Sequence, residues 1–183
     1  MTNFEITLQE IDSFCSNEGI NYAIIGGMAL IAHGINRTTE DIDITLKLNL
    51  EDLEATGKKI LKKFEPIHPD PLQFFQRNFV LPVVHPETKI GIDFAAGLSG
   101  FDFSVVKRKV KLDFLSLTLP FASIEDIILY KLFASRNKDI LDLTEIAKLY
   151  KDKIDIGYIK KLLLEFIELE RDDMKVNFEK IFK

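Results

Sequence analysis

Asp41 and Asp43 stand one residue apart in the run DIDITLK, where Ile42, Ile44 and Leu46 alternate with Asp41, Asp43 and Thr45. Alternation of this kind reads as a half-buried strand over 41–46, with both carboxylates on its polar face. Side chains two residues apart on a strand are separated by about 6–7 Å. Two like charges at that distance repel by about 2–3 kcal/mol at an effective dielectric near 20. A cation between them removes the repulsion. Asp93 falls on the polar face of a second alternating stretch, 89–94, where Ile90, Ile92 and Phe94 form the apolar face. Neighbouring strands lie about 4.8 Å apart, so pairing of these two strands would gather three carboxylates at one point. Hard oxygen ligands on a rigid sheet suit magnesium, which also binds phosphate oxygens. Two such ions about 3.5–4 Å apart can activate an attacking oxygen and stabilise a leaving one.

Gly26-Gly27 lies between a short apolar run, 22–25, and a run of helix formers, 28–33, which ends at Gly34. The pattern predicts a strand, a glycine turn and a short helix. Backbone N–H groups at such a turn can approach a phosphate closely. Arg37 is open to two readings, a phosphate clamp or a partner of Glu40, and Thr38 or Thr39 caps or supports the turn into the aspartate strand.

The remaining elements must hold these residues. Phe4, Leu8, Ile11 and Cys15 recur at helical spacing, with Gly19 at the expected C-cap. Leu50, Leu53, Ile60, Leu61 and Phe64 mark an amphipathic helix with Asn49 as its N-cap. Residues 73–84 read as a strand, Pro86-Glu87-Thr88 as a turn, and 89–94 as the returning strand. A further alternating stretch, 103–119, stops at Pro120. Beyond it Ser123 and Asp126 have capping-box spacing, and helical patterns follow over 127–133, 138–150, 156–169 and weakly to the end. The expected architecture is α+β: a core over 1–120, and a helical segment over 121–183 packed on it as a single compact unit.

Composition narrows the function. The chain has 183 residues, 46% hydrophobic and 29% charged, which is ordinary for a globular protein. A net charge of -5 argues against a broad basic surface for nucleic acid. Cys15 is the only cysteine, so an intrachain disulfide and a thiolate metal site are excluded. His33, His68 and His85 have no ligand spacing, which argues against zinc. Lys107, Arg108, Lys109 and Lys111 form the one basic run, read as a charged edge strand in preference to an RNA groove. No signal-peptide pattern opens the sequence and no stretch is long enough to span a bilayer, so a cytoplasmic setting without membrane partners is expected.

The stretch IIGGMALIAHGINRTTEDIDI resembles the signature of the polymerase-beta-like nucleotidyltransferase superfamily. Its spelling is most similar to the AbiEii-type branch, which includes toxin and antibiotic-resistance nucleotidyltransferases. SIEDIILYKLFASRNKDILDL resembles that branch's later motif, in which a lysine, an arginine and downstream acids lie on helices. The resemblance implies a nucleotidyltransferase-like mixed β-sheet flanked by helices. It also implies magnesium-dependent transfer of a nucleoside monophosphate from an NTP such as ATP, with release of pyrophosphate. It assigns Asp41, Asp43 and Asp93 as metal ligands and catalytic carboxylates, with two magnesium ions. Gly26, Gly27, Arg37, Lys131 and Arg136 would bind the nucleotide, and Thr39, Asp139 and Asp142 would support them. By spacing alone, the last four charged residues of this set read as surface ion pairs. Gly27 stands where many relatives carry serine. The acceptor is left open among tRNA, a protein and a small molecule, with an antitoxin as a further partner. The alternative is a degenerate module of the same fold that binds a nucleotide or a protein without turnover.

Overall fold

The computed structural model describes residues 1–168 and 170–182. The chain divides into two compact units, one of Met1–Ala32 with Arg37–Ala122, the other of His33–Asn36 with Ser123–Lys183.

The first unit is built on a mixed sheet that has seven strands among the described residues. They are β1 (Tyr22–Ile25), β2 (Asp41–Lys47), β3 (Glu65–Pro66), β4 (Val80–Val84), β5 (Gly91–Gly97), β6 (Val110–Phe114) and β7 (Leu117–Phe121). Their order across the sheet is β3-β4-β5-β2-β1-β7-β6. The pairing that matters most is β2 with β5, parallel and in register from Asp41 opposite Gly91 to Lys47 opposite Gly97. On the other flank β1 runs antiparallel to β2, placing Ile25 opposite Asp43.

One sheet face is apolar and buried, with Ile24, Ile42, Ile44, Leu46, Leu81, Ile92 and Phe94 contributing almost no exposed surface. Helix α1 (Asn3–Asn17) and the end of α3 (Leu53–Lys63) meet this face. Phe14 packs edge-on to Phe64 at 5.7 Å and to Phe94 at 6.4 Å between ring centroids. Helix α1 has a full capping box between Thr2 and Glu5, and Gly19 turns the chain out of it at φ 66°. The opposite face is split. At its far end Gly97 lies so close to helix α5 (Gly100–Arg108) that a Cβ there would be 2.7 Å from Asp102 Cβ and 2.8 Å from Thr45 Oγ1. The near end carries Asp41, Asp43 and Asp93, respectively exposed, half-buried and half-buried.

Several expectations need correction. Residues 73–78 are not strand: α4 (Pro71–Asn78) precedes β4, with Pro71 in its first turn. Leu72 and Phe75, three apart, press on Gly57 of α3, and Phe79 in the left-handed region at φ 56° ends the helix. The stretch 103–119 is not one strand either. Ser99 and Asp102 form a capping box that starts α5, and β6 and β7 follow as a hairpin with Leu115 at φ 56°. Pro120 does not end the last strand but pairs with Lys111 inside it. Lys107 and Arg108 therefore lie on a helix, while Lys111 lies on β6, the outermost strand. Asn49 is the N-cap of a 3-10 turn, Leu50–Asp52, that leads into α3, and it makes no side-chain cap hydrogen bond. Finally, Gly26-Gly27 is no separate turn, because helix α2 (Gly26–Ala32) begins at Gly26 itself.

The second unit packs α6 (Ile124–Ala134), α7 (Asn137–Tyr150), α8 (Ile156–Ile167) and α9 (Asp172–Phe182) around Ile128, Leu132, Leu143, Ile146, Ile159, Leu163, Met174 and Phe178. The sequence pattern carried the third of these helices to Leu169, which lies outside the described residues. Ser123 caps α6 through the Asp126 N–H at 3.2 Å. Tyr150 Oη donates to the His33 carbonyl at 2.6 Å, which ties segment 33–36 to this unit. Among the described residues, no helix is long and apolar enough to cross a membrane.

Candidate active site

The β2–β5 register sets Asp43 directly opposite Asp93, and Asp41 lies two residues back on the same face of β2. One carboxylate oxygen from each of the three lies within 4.8 Å of the others. Burial, and after it the charge of Asp41, pushes the Asp93 carboxyl above its usual range. Charge on the Asp93 carboxyl therefore comes at a cost, which a divalent cation beside it would relieve. The donor set is oxygen throughout and partly open to solvent, which fits magnesium.

Gly26 and Gly27 border the same cluster for two different reasons. Gly26 adopts φ 66°, and a Cβ there would stand 1.9 Å from Asp43 Oδ2. A Gly26→Ala variant should lose about 1–2 kcal/mol to backbone strain, and its methyl would force the Asp43 carboxylate aside. The expected readouts are a melting temperature lower by roughly 2–8 °C and weakened divalent-cation binding in titration calorimetry. Gly27 has no such backbone requirement; its missing side chain leaves room for Thr39 and Arg37, with Arg37 Nε buried 3.1 Å from where a Cβ would lie. The Thr39 hydroxyl donates to Asp41 Oδ1 at 2.9 Å.

Lys131, Arg136, Asp139 and Asp142 come together within the second unit. Lys131 Nζ is buried and reaches Asp142 Oδ2 at 2.6 Å and Asp139 Oδ1 at 3.3 Å. Arg136 Nε donates to Asp139 Oδ2 at 2.6 Å while its side chain stays 62% exposed. So the lysine is committed to two carboxylates, whereas the arginine keeps a solvent-facing edge. Sequence spacing had favoured surface ion pairs here; burial of Lys131, Asp139 and Asp142 makes this a core network instead.

Burial alone would raise the Asp139 carboxyl. Hydrogen bonding from Arg136, then the charges of Lys131 and Arg136, outweigh burial and hold it below the usual value. A carboxyl lowered on folding contributes stability that is full above its unfolded pKa, about 3.9, and is lost as pH falls through the lower folded value. Acid titration of the melting temperature should therefore show a descending arm below about pH 4 that flattens in Asp139→Asn.

Sequence reasoning had no means of finding the brace that fixes the approach to β5. Buried His85 accepts from the Glu87 and Thr88 N–H groups through Nδ1, at 3.2 and 3.1 Å, and its Nε2 faces Glu10 of α1 at 3.2 Å. Glu10 is also paired with Lys63. Nothing in local sequence links residues 10, 63 and 85.

A family model described as "Nucleotidyltransferase of unknown function (DUF6036)" matches residues 3–183. The chain belongs to this nucleotidyltransferase family. No curated protein matches it. Among solved structures, this nucleotidyltransferase is similar to an antigenic nucleotidyltransferase-like protein from Paracoccidioides brasiliensis, at 15% identity and TM-score 0.54, over 93% of this chain and 91% of that one. It is also similar to the antibiotic-resistance factor ANT(2'')-Ia, at 12% identity and TM-score 0.53, over 97% and 90% of the two chains. At such identities the likeness shows the fold, a nucleotidyltransferase-like α+β sheet flanked by helices, and the family match gives the class of enzyme.

Proposed function

We propose that this nucleotidyltransferase moves a nucleoside monophosphate from an NTP to an acceptor hydroxyl in a magnesium-dependent reaction that releases pyrophosphate. One observation carries the reading: three carboxylates from two paired strands converge within 4.8 Å beside a glycine pair. Magnesium, when bound, would neutralise phosphate charge and make the attacking hydroxyl more acidic.

The chain's own groups do the rest. Asp41 and Asp43 hold the metal-binding face of β2, and Asp93 completes it from β5. Backbone N–H groups at Gly26-Gly27, in the first turn of α2, are assigned to the triphosphate. A carboxylate oxygen of Asp93 accepts the acceptor's hydroxyl proton. The resulting oxygen forms a bond to the α-phosphorus while the bond from that phosphorus to pyrophosphate breaks, in line. Arg37, packed against Gly27, serves as a cation for the phosphates. Of the two later cations, Arg136 is assigned to the triphosphate or the acceptor, and Lys131 is assigned to holding Asp139 and Asp142.

The AbiEii-like spelling of both motifs supports, within the same proposal, a cytoplasmic toxin-type transferase with tRNA, a protein or a small molecule as acceptor and an antitoxin as partner. Incubating pure protein with each α-labelled NTP, magnesium and a cell lysate tests it. Label should pass to one of RNA, protein or small molecules, with stoichiometric pyrophosphate. Tight magnesium-NTP binding with no pyrophosphate under any acceptor would refute the transferase in favour of a binding module.

A further inference from the structure

Gly26 and Gly27 are both glycine, yet only Gly26 needs to be one for its backbone, since Gly27 is not in the left-handed region. What excludes a side chain at residue 27 is occupancy. A Cβ there would lie 2.7 Å from Thr39 Oγ1 and 2.9 Å from Thr39 Cβ. Ordinary carbon contacts sit at about 3.5–4.0 Å, so no side chain fits unless Thr39 leaves. The intruding hydroxyl is the same one that reaches Asp41 Oδ1 at 2.9 Å, with the Asp41 carbonyl as a longer alternative at 3.2 Å. A single hydroxyl therefore lies between Gly27 and the first carboxylate of the cluster.

We propose that Thr39 is a positioning residue of this site: its hydroxyl fills the place that a side-chain hydroxyl on residue 27 would take and orients the Asp41 carboxylate toward a divalent cation. Gly27 is the complementary half of the device, because it vacates that place. Threonine suits the task better than a flexible residue, since its branched Cβ restricts χ1 and so fixes where the hydroxyl points. The inference rests on the reading of Asp41 as a metal ligand.

The test is calorimetric titration of the full chain with Mn2+, without nucleotide, alongside thermal melting. Thr39→Val keeps the shape and removes the donor, and Mn2+ affinity should fall about tenfold. Thr39→Ser keeps the hydroxyl and should lose less than about threefold. Gly27→Ser and Thr39→Gly, each damaging on its own, should be non-additive, with the double variant recovering about tenfold in affinity over the product of the single losses. Folded Thr39→Val binding Mn2+ as tightly as the wild type, or singles whose effects simply multiply, would overturn the proposal. Absence of Mn2+ binding by the wild type would instead overturn the metal reading of the carboxylates. In that case, additive melting shifts in the Gly27 and Thr39 cycle would reject the steric pairing as well.

Discussion

Asp43→Asn is expected to lower transfer of labelled nucleotide by about 10³-fold or more while leaving the melting temperature within a few degrees of the wild type. Asp43 lies where β2, its two neighbouring strands and Gly26 meet. It pairs with Asp93 across the β2–β5 ladder and with Ile25 across the β1–β2 ladder, and Gly26 lies against its carboxylate. Asparagine keeps the shape and the half-buried packing but removes one charge from the oxygen cluster. Several kcal/mol of charge stabilisation at the reacting phosphate are tied to such a cluster, which is the source of the expected factor. Loss of rate with retained folding would separate the chemistry from the scaffold. Transfer at the wild-type rate would remove Asp43 from the mechanism.

Lys131→Met should have the reverse profile, a stability loss of about 3–5 kcal/mol that lowers the melting temperature by roughly 6–20 °C. Methionine approximates the lysine stem but strips the cation from Asp139 and Asp142, whose side chains are 1% and 11% exposed. Asp139 keeps its pairing with Arg136, but both buried carboxylates lose the buried cation they share, which costs more than the ion pair itself contributed. The control follows from that argument. Combining Lys131→Met with Asp139→Asn and Asp142→Asn should restore most of the stability, because no unpaired charge remains. If Lys131 instead spends its charge on the nucleotide, Lys131→Met will melt near the wild type and lose NTP affinity, and the assignment made here fails.

The contrast between these two residues reflects what was legible in the sequence. The Asp-x-Asp strand could be read locally, because alternation with period two tells which side chains share a face whatever the strand packs against. The glycine pair, the Ser123 cap and the later helices were legible for the same reason: each is decided by residues within a turn or two of one another. Two stretches misled. In 73–84 and 103–119 the aromatic and β-branched residues favour strand, but Pro71 and the Ser99–Asp102 capping box start helices there. Packing of Leu72 and Phe75 against Gly57 then outweighs propensity in the first of them.

The sequence by itself determined the chemistry on offer: three acids of the right type on two alternating strands, a glycine pair before them, and one lysine and one arginine among later acids. Tertiary structure alone decided which of these meet. It chose the parallel β2–β5 register that sets Asp43 opposite Asp93 across fifty residues of chain, lodged Thr39 in the space Gly27 leaves open, and buried Lys131 between Asp139 and Asp142. Such pairings depend on loop closure and on shared burial between distant segments, and neither is encoded in the spacing of neighbouring residues.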